Sequence, residues 1–293
     1  MSLPKNGDNL TDNEKQELIA QALQTEEGRV SLAQAMVEPI RRSLEYQAVG
    51  RKLLMIDELP QGALPRYERD VAAIAHVIAR RGAVPNQIQE GEEIIVPTFE
   101  IAAHPTVRLS EIKARRFYIV DRAQIKAKEA IQKEEDSNIF AALTAAANNN
   151  GSQIVNVVGT LTTTSLNQAY YYIEQHDLVA TKIVLHANQY KAIRVFGKDF
   201  YDEATTREII TTGLYGHLWT ADIHVSSRMQ TSDVLVVASA DTVGAFPIRQ
   251  DITVLPADDP VKLRLGWVIY EEVGIVVIND YAVSLIDVAS TGS

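Results

Sequence analysis

The fold is decided by residues 121–151, which read DRAQIKAKEAIQKEEDSNIFAALTAAANNNG. Asp121 with Gln124 fits a helix cap, and apolar residues recur at helical spacing as far as Ala147, before the Asn-Gly ending. The pattern predicts one helix over about residues 121–148, roughly 40 Å long at 1.5 Å per residue. A charged patch interrupts its apolar face, so a break with Ser137 as a new cap is the alternative.

The part of the chain after this helix alternates between helices and strands. Ser165 with Gln168 predicts a helix to about His176, and Asn188 is placed to cap a short helix through Val195. Strands are predicted at residues 181–185, 234–238, 251–255, 263–270, 274–278 and 283–286. The sequence shows no internal repeat.

The part before the helix has the period of strands and many prolines. Candidate strands are residues 53–56, 93–96 and 106–109. Residues 80–112 predict a long two-stranded ribbon with its tip near residues 87–91. Such a ribbon is marginally stable alone, and its polar, Pro-flanked sequence suits a strand pair that lies on another chain.

The first 50 residues predict two unusually polar helical pieces. Thr11 with Glu14 forms a capping box for the first, and Ser31 caps the second, which Pro39 kinks. One interpretation is a solvated helical hairpin. The other is an arm whose residues before about Gly28 become ordered only against neighbouring subunits.

The composition is that of a globular protein with a substantial core. The chain has 293 residues, 46% of them hydrophobic, and a net charge of −10. This charge argues against a sequence-reading nucleic-acid binder, which needs Lys and Arg against phosphates. The absence of cysteine excludes disulfides, Cys-ligated zinc and thiol nucleophiles. No apolar run reaches about 18 residues and the start is polar, so we expect neither a membrane segment nor a signal peptide.

Residues with possible chemistry form no known catalytic pattern. The carboxylates at residues 134–136 fit a solvated helix face or a subunit contact better than a metal site. His217 and His224, on one predicted strand, should point to opposite faces and share no metal. We therefore predict no catalytic residue, cofactor or metal, and no enzyme. The other histidines, also without a known ligand spacing, are His76, His104, His176 and His186.

The order of the parts, more than any single motif, resembles the Hong Kong 97-type major capsid proteins of tailed phages. Three groups of residues carry the likeness. The approach to the long helix contributes Leu109, Glu111, Ile112, Phe117, Asp121, Ala130, Ile131, Glu135, Asp136, Ile139, Phe140 and Leu143. A glycine segment contributes Gly213, Leu214, Gly216, Leu218, Trp219, Ala221, Ile223 and Ser226. A closing strand contributes Gly274, Ile275, Val276, Val277, Asn279, Tyr281, Ala282 and Val283.

This resemblance implies an α+β capsid fold with four parts. They are an N-terminal arm (1–50), an extended β loop (80–112), a peripheral domain with its spine helix (51–79, 113–155 and 247–293) and an axial domain (156–246). The implied function is self-assembly of hexamers and pentamers into the icosahedral shell of a phage, a virion protein assembled in the host cytoplasm. The expected assembly contacts are Arg80, Arg81, Gln87, Glu90, Arg108, Glu134, Glu135, Asp136, Gly213, Gly216 and Trp219.

The resemblance also implies partners and leaves rivals open. Portal and scaffolding proteins, a decoration protein and packaged double-stranded DNA are the expected partners, with no membrane. An encapsulin-type nanocompartment shares the fold, although the long polar N-terminus favours a phage. An unrecognised α+β enzyme is the rival from another class. Some shells of this family are cross-linked by Lys–Asn isopeptide bonds, in which the lysine belongs to the extended loop. No lysine lies between Lys52 and Lys113, so we expect no such bond here.

Overall fold

The computed structural model describes residues 49–60, 62–69, 92–108, 110, 118–196 and 216–289. The predicted arm lies outside these residues except for 49–50. The described residues belong to two compact units. The first unit takes in the described residues among 1–51, 99–138 and 248–273, and the second takes in those among 52–98, 139–247 and 274–293.

The described part of the chain contains four α-helices and fourteen strands. The helices are α1 (Tyr118–Asn149), α2 (Thr163–Glu174), α3 (Ala187–Ile193) and α4 (Ala240–Val243). Short 3-10 helices span Gly50–Lys52, Gly151–Gln153, Pro260–Lys262 and Asp280–Ala282. The strands are β1 (Met55–Glu58), β2 (Arg66–Arg69), β3 (Glu92–Ile95), β4 (Thr98–Ala103), β5 (Thr106–Arg108), β6 (Ile154–Val158), β7 (Ala180–Leu185), β8 (His217–Leu218), β9 (Ala221–Val225), β10 (Asp233–Ala238), β11 (Gly244–Pro256), β12 (Arg264–Gly274), β13 (Val276–Val277) and β14 (Val283–Ala289).

The long helix α1 confirms the prediction made from residues 121–151. It begins at Tyr118, so Asp121 lies inside the helix and does not cap it. The alternative break at Ser137 is wrong, because the helix continues and the Ser137 hydroxyl donates to the Lys133 carbonyl at 2.8 Å. Serine inside a helix commonly bonds back to the preceding turn in this way.

The core of the first unit is built on β12. This strand pairs with β11, β4 and β5. Its buried side chains alternate, with Trp267 1% exposed and Ile269, Glu271 and Val273 all 0% exposed. A period of two places these four on one face of the strand, so a carboxyl group occupies a position that the pattern reserves for apolar residues.

The second unit contains a six-stranded sheet in the order β6-β14-β10-β7-β9-β8. β14 is parallel to β6 and antiparallel to β10, and every residue of β10 is buried. Helix α2 contributes Leu166, Ala169 and Ile173, each 0% exposed. Of these elements, the sequence predicted α2, β7, β10 and β14. β10 and β14 are rich in apolar residues, as strands of a buried sheet are.

The ribbon begins earlier in the chain than predicted. β2 pairs antiparallel with β3, with Arg66 opposite Ile95. The predicted range 80–112 therefore omits one strand of this pair and includes β4 and β5, which pair with β12. The sequence RYER of β2 has a single apolar residue and thus a weak strand pattern. The predicted tip, residues 87–91, lies outside the described residues.

Two helix caps also differ from the prediction. Helix α2 begins one turn earlier, with a capping box between Thr162 and Ser165 in place of Ser165 and Gln168. Helix α3 is capped by His186, whose ring Nδ1 accepts from the Asn188 backbone N–H at 3.2 Å. A histidine cap gives no sequence signal because Ser, Thr, Asp and Asn are the usual cap residues.

Candidate functional site

A buried group of charged side chains, which we call the Arg51 cluster, lies within the first unit. It consists of Arg51, Glu135 and Glu271. The Arg51 guanidinium donates from Nε to Glu135 Oε1 and from Nη2 to Glu271 Oε2, the latter at 3.0 Å. Arg51 is 6% exposed and both glutamates are 0% exposed. The cluster thus ties the segment before β1 to helix α1 and to β12.

Periodicity explains why both glutamates are inside. On α1, Ala127, Ile131 and Glu135 recur every four residues and are all buried, so Glu135 continues the apolar stripe of the helix. On β12, Glu271 shares the buried face with Ile269 and Val273. Arg51 and Glu271 were not among the residues predicted from the sequence. The available signal was a carboxyl at a core-facing position of each element, which requires a buried cation as partner.

Asp136 gives the cluster a second attachment to the same segment. Its Oδ1 accepts from the Gly50 backbone N–H at 2.8 Å, and the residue is 8% exposed. Burial raises the pKa of Asp136, and the backbone hydrogen bond works in the opposite direction. Residues 50 and 51 are therefore held by consecutive carboxyl groups of one helix.

Burial dominates the electrostatics of the cluster. It raises the pKa of Glu135, although Arg51 pulls that pKa down. Burial, reinforced by the charge of Glu135, raises the pKa of Glu271 to about 8. In the described part of the chain, Glu135 Oε2 and Glu271 Oε1 are buried without a hydrogen-bond partner. The arrangement can hold a proton and anchor a chain segment.

The predicted assembly contacts fall into three groups. Arg80, Arg81, Gln87, Glu90 and Gly213 lie outside the described residues. Arg108, Glu134 and Trp219 have exposed side chains, whereas Gly216 is buried. The carboxyl groups of Glu135 and Asp136, which we expected at a subunit contact, are turned inward and bonded within their own chain. Glu134 is the exposed member of that acidic run.

Trp219 occupies a strained turn in the second unit. Its φ is 53°, in the left-handed region that few non-glycine residues adopt. Its ring is 45% exposed and contacts the Tyr170 ring, whose hydroxyl donates to the Leu218 carbonyl at 2.9 Å. The turn thereby presents a fixed aromatic surface to its surroundings.

The prediction that His217 and His224 share one strand is wrong. His217 lies on β8 and His224 on β9, with the Trp219 turn between them. His217 Nε2 lies 2.9 Å from Asp222 Oδ1, and burial lowers the pKa of His224. Among the described residues, no three His, Cys, Asp or Glu side chains are grouped to bind a metal ion.

A cavity of about 510 Å³ lies in the second unit beside helix α3. Of the described residues that line it, Lys191 is the one with a charged side chain. A single lysine does not supply the paired acid and base of most hydrolytic sites. None of the described helices combines the length and apolar content of a membrane crossing.

Comparison with known proteins gives matches among solved structures. No protein-family model matches the sequence, and no curated protein is similar to it. A chain of the capsid structure of the cyanophage P-SCSP1u is similar with a TM-score of 0.62 and 12% identity, over 83% of this chain and 89% of that chain. A chain of Microbacterium phage Oxtober96 gives a TM-score of 0.61 and 12% identity, over 83% of this chain and 91% of that chain. A virus-like particle from Pyrococcus furiosus gives a TM-score of 0.54 and 15% identity, over 86% of this chain and 99% of that chain.

These similarities extend over most of each chain and identify the fold. The chain has the α+β Hong Kong 97-type capsid fold, as the order of its parts predicted. A fold is compatible with several functions.

Proposed function

We propose that this chain is the major capsid protein of a tailed phage and that it self-assembles into an icosahedral shell around double-stranded DNA. The observation that carries the proposal is the fold shared with the cyanophage capsid chain over most of both chains. Its role is then structural and not enzymatic, and the surfaces that carry out this role are the interfaces between copies of the chain.

Exposed apolar side chains support an assembling protein. The end of β11 and the turn that follows it are one such place, with Leu255 49% exposed, Val261 91% and Leu263 66%. Backbone hydrogen bonds between Asp259 and Arg264, each at 3.0 Å, hold this turn in shape. A fixed turn that presents apolar groups to water gains free energy when another surface covers it.

The ribbon formed by β2 and β3 gives further support. The Ile95 side chain is 57% exposed, and Arg66 forms an exposed ion pair with Glu93 at 3.1 Å. At its base, Tyr67 and Ile94 pack on the small core of Val96, Ala245 and Val276. Two strands with little core of their own are stabilised when they lie on a neighbouring subunit.

The remaining parts of the proposal follow from the resemblance. The axial domain, residues 156–246, would form hexamers and pentamers, and the arm and extended loop would lap over neighbours. Portal, scaffolding and decoration proteins are the proposed partners, and packaged DNA would be enclosed without sequence-specific contacts. Assembly would take place in the host cytoplasm and the protein would end in the virion capsid.

A nanocompartment shell is the second candidate. It is favoured by the similarity to the virus-like particle from Pyrococcus furiosus, which covers nearly all of that chain. The two candidates differ in what the particle contains. Shells produced with their natural partners should hold DNA in the first case and a cargo protein in the second.

Electron microscopy of the purified full-length protein tests the proposal. We expect closed icosahedral particles, or hexamers and pentamers that convert to them when salt or a crowding agent is added. Sedimentation velocity under the same conditions should show a species far larger than 32.4 kDa. Monomers or dimers alone, across all conditions, would contradict both candidates.

A further inference from the structure

Counted over the side chains that the structure describes, the Arg51 cluster contains more acid than base. One guanidinium meets two carboxyl groups, and neither Glu135 nor Glu271 is accessible to water. Asp251 on β11 also acts on both Arg51 and Glu271. A fully ionised cluster would therefore carry excess negative charge in a buried place, where unpaired charge is strongly destabilising.

The hydrogen-bond pattern indicates the same imbalance. Each glutamate has one oxygen bonded to Arg51 and one buried oxygen, Glu135 Oε2 or Glu271 Oε1, without a partner among the described residues. An ionised carboxylate accepts at both oxygens, whereas a protonated carboxyl becomes a donor at one of them. A proton on one of the two groups removes the excess charge and supplies a donor.

We infer that the cluster keeps one proton at neutral pH, shared by the Glu135–Glu271 pair, and that losing this proton as the pH rises weakens the attachment of residues 50–51 to helix α1 and β12. The inference concerns the folded subunit and does not depend on the proposed shell. It makes the cluster a proton-sensitive latch for the segment that leads into β1.

The electrostatic surroundings of Glu271 favour its protonated form. Among the described residues, the charged groups that act on it are Arg51, Glu135 on α1 and Asp251 on β11. Burial and the charge of Glu135 place its pKa near 8, above the ordinary 4.5. Because the pKa is higher in the folded chain, the folded state binds the extra proton between these values. The stabilising contribution is complete below about pH 4.5 and is lost as the pH rises toward about 8.

Infrared spectroscopy of the full-length protein near neutral pH detects the proton directly. The wild type should show the carbonyl stretch of a buried protonated carboxyl group, and Glu271→Gln should lack it. Glu272→Gln is the matched control, since Glu272 is the next residue of β12 and pairs with Arg249 at 2.9 Å. The control should keep the band. Absence of the band from the wild type, or its survival in Glu271→Gln, overturns the inference.

A second variant, Glu135→Gln, tests the inference independently in case Glu271→Gln misfolds. In Glu135→Gln the competing charge is gone, so Glu271 should ionise beside Arg51 and the band should be lost near neutral pH. Glutamine at 271 mimics the protonated carboxyl. We therefore expect the urea unfolding midpoint to fall toward pH 8 in the wild type and in Glu272→Gln, and to fall much less in Glu271→Gln. Parallel profiles for all three proteins would also overturn the inference.

Discussion

The ring of Trp219 stands edge-on to the ring of Tyr170, with centroids 4.9 Å apart and planes at 82°. This geometry is the favourable one for two aromatic rings. It fixes a half-exposed tryptophan at a turn whose backbone would otherwise favour glycine.

Trp219→Gly should therefore separate folding from assembly. Loss of the ring contact costs about 0.5–1.5 kcal/mol beyond the apolar area that the half-buried ring covers, and glycine offsets part of this loss by relieving the left-handed backbone, so the free energy of unfolding should fall by about 1–3 kcal/mol. If Trp219 is an assembly contact, the yield of particles in electron micrographs should fall severalfold. Tyr281→Ala is the control, because Tyr281 is 42% exposed and its ring likewise packs against a neighbouring ring, that of His176. Wild-type yield from Trp219→Gly would remove this residue from the assembly surface.

The hydrogen bond from Gly50 to Asp136 predicts that Asp136 contributes more to the free energy of unfolding than Glu134, which lies on the same helix. Asp136→Ala leaves a buried N–H without its acceptor, so it should lower the free energy of unfolding by about 1–3 kcal/mol. Glu134→Ala, two residues away and exposed, should change it by less than about 0.5 kcal/mol. Urea denaturation of both variants measures the difference. Equal effects would mean that Asp136 does not anchor the segment.

Gly244 is required by close packing. A Cβ atom at this position would lie 2.1 Å from the Val276 carbonyl oxygen across the β11–β13 pair. Gly244→Ala should lower the free energy of unfolding by about 1–3 kcal/mol or more, because backbone must move. Gly151→Ala is the control, since a Cβ there meets nothing within 4 Å. Comparable thermal unfolding of both variants would contradict this packing.

Covalent cross-links are not expected in assembled particles. The predicted loop, residues 80–112, contains arginine but no lysine, and arginine stays protonated and does not act as a nucleophile. The β2–β3 pair places a loop strand even earlier, at Arg66–Arg69, and that strand also lacks lysine. Particles boiled in SDS should give one band near 32.4 kDa. A ladder of larger bands would show that a lysine elsewhere reaches an asparagine of a neighbouring subunit.

Local sequence patterns predicted several helices and strands. Features that depend on contacts between distant residues could not be predicted in this way. Helix α1 follows from apolar spacing within one stretch, and strands β10 and β14 follow from short stretches rich in apolar residues. The β8–β9 turn was missed because Trp219, with its positive φ, gives no Gly or Asn signal. The Arg51 cluster joins residues that are 84 and 220 positions apart in the sequence. No local period reports such a pairing.

The position of β14 in the six-stranded sheet sets the time at which that sheet can be completed during synthesis. β14 comes last of the six strands in the sequence, yet it lies between β6 and β10. Leu285 is paired with Ile154, so the contact closes a loop of well over a hundred residues, and such long-range strand pairing is slow. A nascent chain therefore carries a gap in the middle of this sheet until residues 283–289 have left the ribosome. A nascent chain that lacks these residues therefore does not contain the complete six-stranded sheet and cannot use it in a contact with another subunit.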